Sequence, residues 1–284
     1  MSSTTLSYLT SLYSMNAGTA GSGSMLGTLY GYGGQTQNSL GQNPVTALLS
    51  AEQKQTQNIK VTAAQPDVKR AVDAFTAGVS GAKTVQQLLT NPAVMQVLLT
   101  ANGLADQIPY AALAQKTLQS NVNTPKSLAN TLTDTRWKPV VQTYDFANKG
   151  LKIIQDPKVI STIASAYAEV TWRQSLDAST PGLSNALTFR KQASTITSVD
   201  QILGDPVMRK VVTTALNIPL QIAFQPLQAQ EKAINARLDI TKFKDPKFVE
   251  SFVQRYLVAA NNSATTSTTP DLTTLAVQAH GLVV

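Results

Sequence analysis

The sequence contains no cysteine. That absence excludes disulfides, zinc–thiolate sites, iron–sulfur clusters and cysteine nucleophiles. Histidine occurs once, as His280. A Ser-His-Asp triad or a histidine-containing metal site would have to use it, and we read it as an exposed residue near the chain end. Aromatics make up 6% and charged residues 14% of the 284 residues; the usual charged share is ~25%. Few aromatics beside a hydrophobic content of 43% favour a helical interior of Ala, Leu, Val and Ile over a β-sandwich. No run approaches the ~18 apolar residues of a membrane span. The first residues lack the basic start and short apolar stretch of a secretory signal, so export, if it occurs, is expected to take another route.

What charge there is lies between Glu52 and Asp271, and residues 1–51 carry no Asp, Glu, Lys or Arg. The formal net charge is +7, but the contiguous basic runs are only pairs, Lys69-Arg70, Arg190-Lys191 and Arg209-Lys210. Without a basic arm or interleaved aromatics, this is a generally basic solvated surface, and no nucleic-acid partner is expected. Both ends are rich in Ser, Thr, Gly, Asn and Gln, a composition that buries too little apolar surface to offset its ordering entropy. The expected organisation is an uncharged low-complexity extension (1–43), a multihelical domain (44–259) and a Ser/Thr-rich tail (260–284), with disorder around 16–42 and 260–270. Sparse apolar positions at helical spacing, Leu6, Leu9, Leu12, Tyr13 and Met15 at one end and Leu272, Leu275 and Ala276 at the other, suit short helices that fold on a partner. The uncharged N-terminal stretch is similar to the export signals of flagellar and related type III secretion substrates.

The middle of the chain repeats itself. Residues 84–104, "TVQQLLTNPAVMQVLLTANGL", align without a gap on 198–218, "SVDQILGDPVMRKVVTTALNI", at an offset of 114 residues. Val85/Val199, Gln87/Gln201, Leu89/Leu203, Pro92/Pro206, Val97/Val211, Thr100/Thr214 and Ala101/Ala215 are identical. A second shared element, "TPKSLANTLTDTRW" (124–137) and "DPKFVESFVQRY" (245–256), follows at unequal distance, so the expected repeat is 84–137 and 198–256 with a loop of changed length. "DPKVISTIASAY" (156–167) resembles 245–256 but has no opener before it, and reads as independent use of the same start.

That start is a helix signal. Eight prolines, 44, 92, 125, 157, 181, 206, 246 and 270, follow Asn, Asp or Thr. Such a side chain at the N-cap accepts from the first turn, and Pro at the next position lacks an N–H that would have been unpaired anyway. Val94, Val97, Leu98 and Ala101 then recur at helical spacing, as do Met208, Val211, Val212 and Ala215. Gly103 suits the left-handed residue that ends the first helix. The fold expected is all-α: a multihelical domain containing a duplicated helical unit, with flexible N- and C-terminal tails.

The residues offer no chemistry to match. Gly31, Gly33 and Gly34 lie in "LYGYGGQT" without the Lys-Ser/Thr end of a P-loop. Trp137 and Trp172 read as core or interface anchors. Glu169, considered as a lone general acid acting on glycan bonds, has no carboxylate partner and pairs more simply with Arg173 at i,i+4. Asp156, Asp205 and Asp245 read as caps. We therefore assign no catalytic, cofactor-binding or metal residue, no cofactor and no enzymatic activity.

Segments 84–104, 124–146, 186–219 and 239–259, with Phe189-Arg190-Lys191, the Gln-rich stretch Gln228–Gln230 and Gln254-Arg255-Tyr256, together resemble the domain of unknown function 1217 family, found mainly in alphaproteobacteria. The resemblance covers roughly residues 66–259. This chain departs from it in its long uncharged extension and in Tyr256, where Phe is expected. The resemblance implies an all-helical domain, and members tend to be encoded among flagellar genes without an assigned reaction. The function expected is a non-enzymatic protein of the bacterial flagellum or its export and assembly pathway. Its partners would be other flagellar or export proteins, and its location the flagellum or the exterior by flagellar export. The alternatives are a cytoplasmic assembly chaperone or regulator and a peptidoglycan-acting enzyme.

Overall fold

Helices begin where Asn or Asp precedes Pro. The computed structural model describes residues 43–266, and it opens helices at Pro44, Pro92, Pro157, Pro206 and Pro246. In each case the preceding side chain accepts from the first turn: Asn43 from Val45, Asn91 from Ala93, Asp156 from Lys158, Asp205 from Val207 and Asp245 from Lys247. Thr-Pro behaves differently. Pro125 and Pro181 lie in turns, and the helices start later, at Leu128 and Leu183. The Asx oxygen reaches the N–H two residues on, whereas Thr is a weaker cap and stiff at its branched Cβ. Pro270 lies outside the described residues.

The described chain is helical, with no strand among the described residues. In order it forms α1 (Pro44–Gln53), α2 (Gln55–Ala63), α3 (Pro66–Gly81), α4 (Val85–Leu89) and α5 (Pro92–Ala101). Then come α6 (Ala111–Leu118), α7 (Leu128–Thr131), α8 (Trp137–Tyr144), α9 (Phe146–Lys149) and α10 (Pro157–Ser175). The last are α11 (Leu183–Gln192), α12 (Val199–Gly204), α13 (Pro206–Ala215), α14 (Leu227–Asn235) and α15 (Pro246–Thr266). Short 3-10 segments, Ala105–Tyr110 and Leu220–Phe224, lead into α6 and α14. α15 runs through Thr266, so 260–266 is helical where disorder was expected. A helix already nucleated adds residues at little cost, and the Asn261 amide ties this part to Leu257 O and Pro181 O. The expectations for 16–42 and 267–270 lie outside the described residues.

The two 114-spaced stretches share their backbone details. Thr84 Oγ1 accepts from Gln87 N and Ser198 Oγ from Gln201 N (3.1 and 3.3 Å). The same two glutamines reach back to Lys83 N and Thr197 N (3.0 and 2.7 Å), a variant of the capping box. α5 and α13 both end in a left-handed residue, Gly103 (φ 73°) and Asn217 (φ 50°). Leu104 N then donates to Leu99 O, and Ile218 N to Thr213 O, each at 2.8 Å. This is the six-to-one bond of a Schellman end.

Each stretch feeds its own core. Val94, Val97, Leu98 and Leu104 pack with Phe75, Val79, Trp137 and Tyr167; Met208, Val211, Val212 and Ile218 pack with Phe189, Phe243, Phe252 and Tyr256. In the second core Phe189 meets Phe243 edge-on at 5.1 Å and stacks on Phe252 at 5.6 Å. α10 joins the two cores: Ile163, Tyr167 and Ala168 belong to the first and Trp172 to the second.

The partner of each repeat helix corrects the sequence pairing. α13 packs on α15, which begins at Pro246, but α5 packs on α10, which begins at Pro157. Ile154/Phe243, Ile163/Phe252, Tyr167/Tyr256 and Ala168/Leu257 are all buried at matching places relative to those prolines. The "DPK" start at 156, read from sequence as independent, thus takes the place assigned to 124–137. Residues 124–137 instead belong, with α7–α9, to an insertion that the second half lacks.

Candidate functional site

A cleft of about 1010 Å³ is lined by the end of α5, the insertion, and parts of α10, α11 and α13. One wall is built on Arg136, just before α8. Its Nε donates to Asp134 Oδ1, Nη1 to Gly103 O and Asp106 Oδ1, and Nη2 to Asp106 Oδ2 and Asp134 Oδ2, at 2.6–3.0 Å. All five guanidinium donors are used. Burial opposes the charge, but the bonds to Asp134 and Asp106 outweigh it and push the Arg136 pKa above its ordinary value. Arg136 is therefore a tie between the insertion and the C-terminal end of α5, with no donor left for a ligand.

Asp205 stands in the same cleft, buried at the N-terminus of α13. It accepts from Val207 N (2.8 Å) and Met208 N (3.2 Å). Burial nonetheless raises its pKa, against the pull of these bonds and of Arg136. Because the folded-state value is the higher one, the associated stability is fully present below the unfolded pKa of ~3.9 and is lost as pH rises through the folded value. Asn91, its counterpart in the first copy, makes the same cap without a charge. Asp205→Asn should therefore be more stable than the parent at neutral pH, with the gap closing as the solution is acidified. Thermal melts over a pH series check this; a gap that widens on acidification would refute it.

The same cleft is lined by Arg173 of α10, which also borders a second cavity of about 400 Å³. Its side chain is 9% exposed. Nη1 donates to Thr188 Oγ1 at 3.0 Å, and Nε has no hydrogen-bond partner among the described residues. Burial lowers its pKa, with Glu169 opposing. Glu169 sits 3.6 Å from Nη2, while Lys191 Nζ holds both Glu169 oxygens at 2.8 Å. The Glu169 side chain is largely buried, at 15% exposure. α11 brings Lys191 to it from 22 residues away. Both oxygens of Glu169 are thus acceptors of charge-assisted bonds from Lys191.

Of the other residues singled out from sequence, those among the described residues have structural roles. Trp137 is buried in the first core and Trp172 in the second, the latter also edging the smaller cavity. Asp156 and Asp245 cap helices. His280, Gly31, Gly33 and Gly34 lie outside the described residues. Among the described residues no three His, Asp or Glu side chains gather as a metal site, and no helix is long and apolar enough to cross a membrane.

One surface feature was missed. Tyr110 and Phe224 are 62% and 88% exposed, and Leu113 and Leu227 are 37% and 49% exposed. Both pairs sit at the 114 offset, at the 3-10 turn and first helical residues that follow each repeat. Neither 107–115 nor 219–230 contains a charged residue. One exposed aromatic is ordinary; the same aromatic-x-x-Leu site exposed in both copies is a pattern. Extending the repeat alignment past residue 104 through Ile108/Ile222 would have found it. The sequence marks Arg173 only as the i,i+4 partner of Glu169, a pairing the structure shows at 3.6 Å.

A sequence model of the family described as "Protein of unknown function (DUF1217)" matches residues 101–249, a narrower span than 66–259. No functionally curated protein matches the sequence. The X-ray crystal structure of a protein from Agrobacterium tumefaciens, a structural genomics target, is similar with a TM-score of 0.65 and 22% identity, covering 80% of this chain and 97% of that one. At that identity the likeness concerns the fold alone.

Proposed function

Since the chain belongs to the DUF1217 family of proteins of unknown function, we propose that it is a non-enzymatic helical protein-binding module of the bacterial flagellum or its export and assembly pathway. The observation that carries the binding role is the pair of uncharged, exposed sites Tyr110/Leu113 and Phe224/Leu227. Exposed apolar side chains at equivalent places in a duplicated unit suit two equivalent contacts with apolar faces of partner helices. The flagellar setting rests on the family resemblance and on the charge-free 1–51 stretch, which resembles flagellar export signals. The proposed location is accordingly the flagellum or the exterior by flagellar export.

Tyr110→Ser combined with Phe224→Ser tests the binding role. Both side chains are largely solvated, so stability should change by less than about 0.5 kcal/mol. Co-purification of flagellin, hook, cap or export proteins from motile cells should fall sharply, with each single variant intermediate. Capture equal to the parent's ends this reading of the surface. Comparing culture supernatants for the full chain and a version lacking 1–51 tests export separately. Retention of both in cells with a working export gate favours a cytoplasmic chaperone or regulator instead.

A further inference from the structure

We propose that residues 269–280 are a third version of the helix that α3 and α11 represent, and that they dock on α15 around Val258. The offset of 89 residues that equates α10 with α15 continues past the helix end. Without a gap it lays Thr180-Pro181-Gly182-Leu183 on Thr269-Pro270-Asp271-Leu272, and Ala186-Leu187 on Leu275-Ala276. α3 opens alike, with Pro66-Asp67-Val68 followed by Ala71-Val72. All three stretches place apolar residues two, five and six positions after the proline, the stripe of a helix. In the two described versions the stripe is used. Val68 is buried in the first core as α3 packs on α5, and Leu183, Ala186 and Leu187 are buried in the second as α11 packs on α13.

The junction of α10 and α11 shows what such a helix covers. α11 folds back on the last turns of α10: Lys191 holds Glu169, Thr188 meets Arg173, and Leu187 shares a core with Trp172. The Glu169 side chain is left 15% exposed. Its counterpart at the 89-residue offset, Val258, is 45% exposed, and Leu49 on α1, a helix that packs on α15, is 44% exposed. An apolar residue thus stands open at the place that α11 covers in the first half. The chain can reach it. Thr266, the last residue of α15, is eight residues past Val258, about 12 Å along the helix. Six residues lead from there to Leu272, a span of up to about 20 Å. A helix of about a dozen residues is marginal alone in water, and this surface supplies the packing it lacks. The docking is independent of the exposed pairs at 110/113 and 224/227 and of any flagellar role.

The chain has no cysteine, so a chosen pair can be introduced into the full chain and cross-linked. Val258→Cys with His280→Cys, the places of Glu169 and Lys191, should be joined within one chain by a short bismaleimide. Phe224→Cys with His280→Cys, whose first position is 88% exposed, controls for accessibility and should be joined severalfold more slowly. Amide hydrogen exchange supplies a second measure. Residues 272–279 should exchange about tenfold or more below the unfolded rate. Leu272→Ser combined with Leu275→Ser should remove that protection while α13 keeps the parental level, which shows that the domain remains folded. Equal or faster joining of the control pair overturns the docking, as does exchange of 272–279 at the unfolded rate. A cross-linked product only at twice the chain mass also overturns it, in favour of a second copy as the partner.

Discussion

Replacing Arg136 with alanine should destabilise the fold by about 3–5 kcal/mol, the cost of breaking a buried ion pair from one side. The Arg136 side chain is 10% exposed and its partner Asp134 19% exposed. Removing the guanidinium strands Asp134 and leaves Gly103 O, at the end of α5, without its side-chain donor. Lysine should not restore the loss, because three donors on one nitrogen cannot serve five acceptors in a plane. The acid side of the stability curve supplies a second readout. Asp106 has a lowered pKa: burial works against this, and the hydrogen bonds from Arg136 and Gln107 prevail. A depressed carboxylate contributes stability above its unfolded pKa and loses it as pH falls through the folded value. That slope should flatten in Arg136→Ala. Urea denaturation at several pH values measures both effects, and a change below ~1 kcal/mol would show that the network is dispensable.

Gly182→Ala is the second large effect, and it should depend on what occupies position 256. Gly182 precedes α11 with φ 86°, a conformation that costs a residue with a Cβ ~1–2 kcal/mol. The added Cβ would also stand 2.7 Å from Tyr256 Oη and 3.2 Å from Cζ. Tyr256 is fully buried, so its ring has little room to move, and forced repacking of this kind costs ~1–3 kcal/mol. The sum, about 2–5 kcal/mol, should fall toward the backbone part alone in a Tyr256→Phe background, since the hydroxyl makes the closest contact. That background loses only a long hydrogen bond from Asn185, at 3.4 Å. A double-mutant cycle by thermal or chemical denaturation checks the coupling. Strict additivity would mean that backbone strain alone sets the cost, and that the hydroxyl of Tyr256 does not require a residue without Cβ at 182.

Local rules carried far in this chain. The five Asx-Pro starts, the left-handed Gly103 and the two glutamine-backed caps each involve groups within a few residues of one another, so their physics is written in consecutive letters. The all-helical class follows from the same signals plus the spacing of Val, Leu and Met. Thr-Pro was overread for an equally local reason: Thr is the weaker cap, and Pro125 and Pro181 lie in turns.

What the letters did not decide was which helix meets which. "DPK" at 156 and at 245 are equivalent because α10 and α15 pack on α5 and α13, and an insertion of three helices hides that equivalence from spacing arguments. The candidate sites have the same origin. Arg136 finds Asp106 and Gly103 from 30 and 33 residues away, and Lys191 takes Glu169 from 22 away. Arg173 is left short of acceptors by that competition, which depends on distances between helices. The exposed pairs at 110/113 and 224/227 fall between these cases: their repetition is in the sequence, but only packing shows that both copies leave them uncovered.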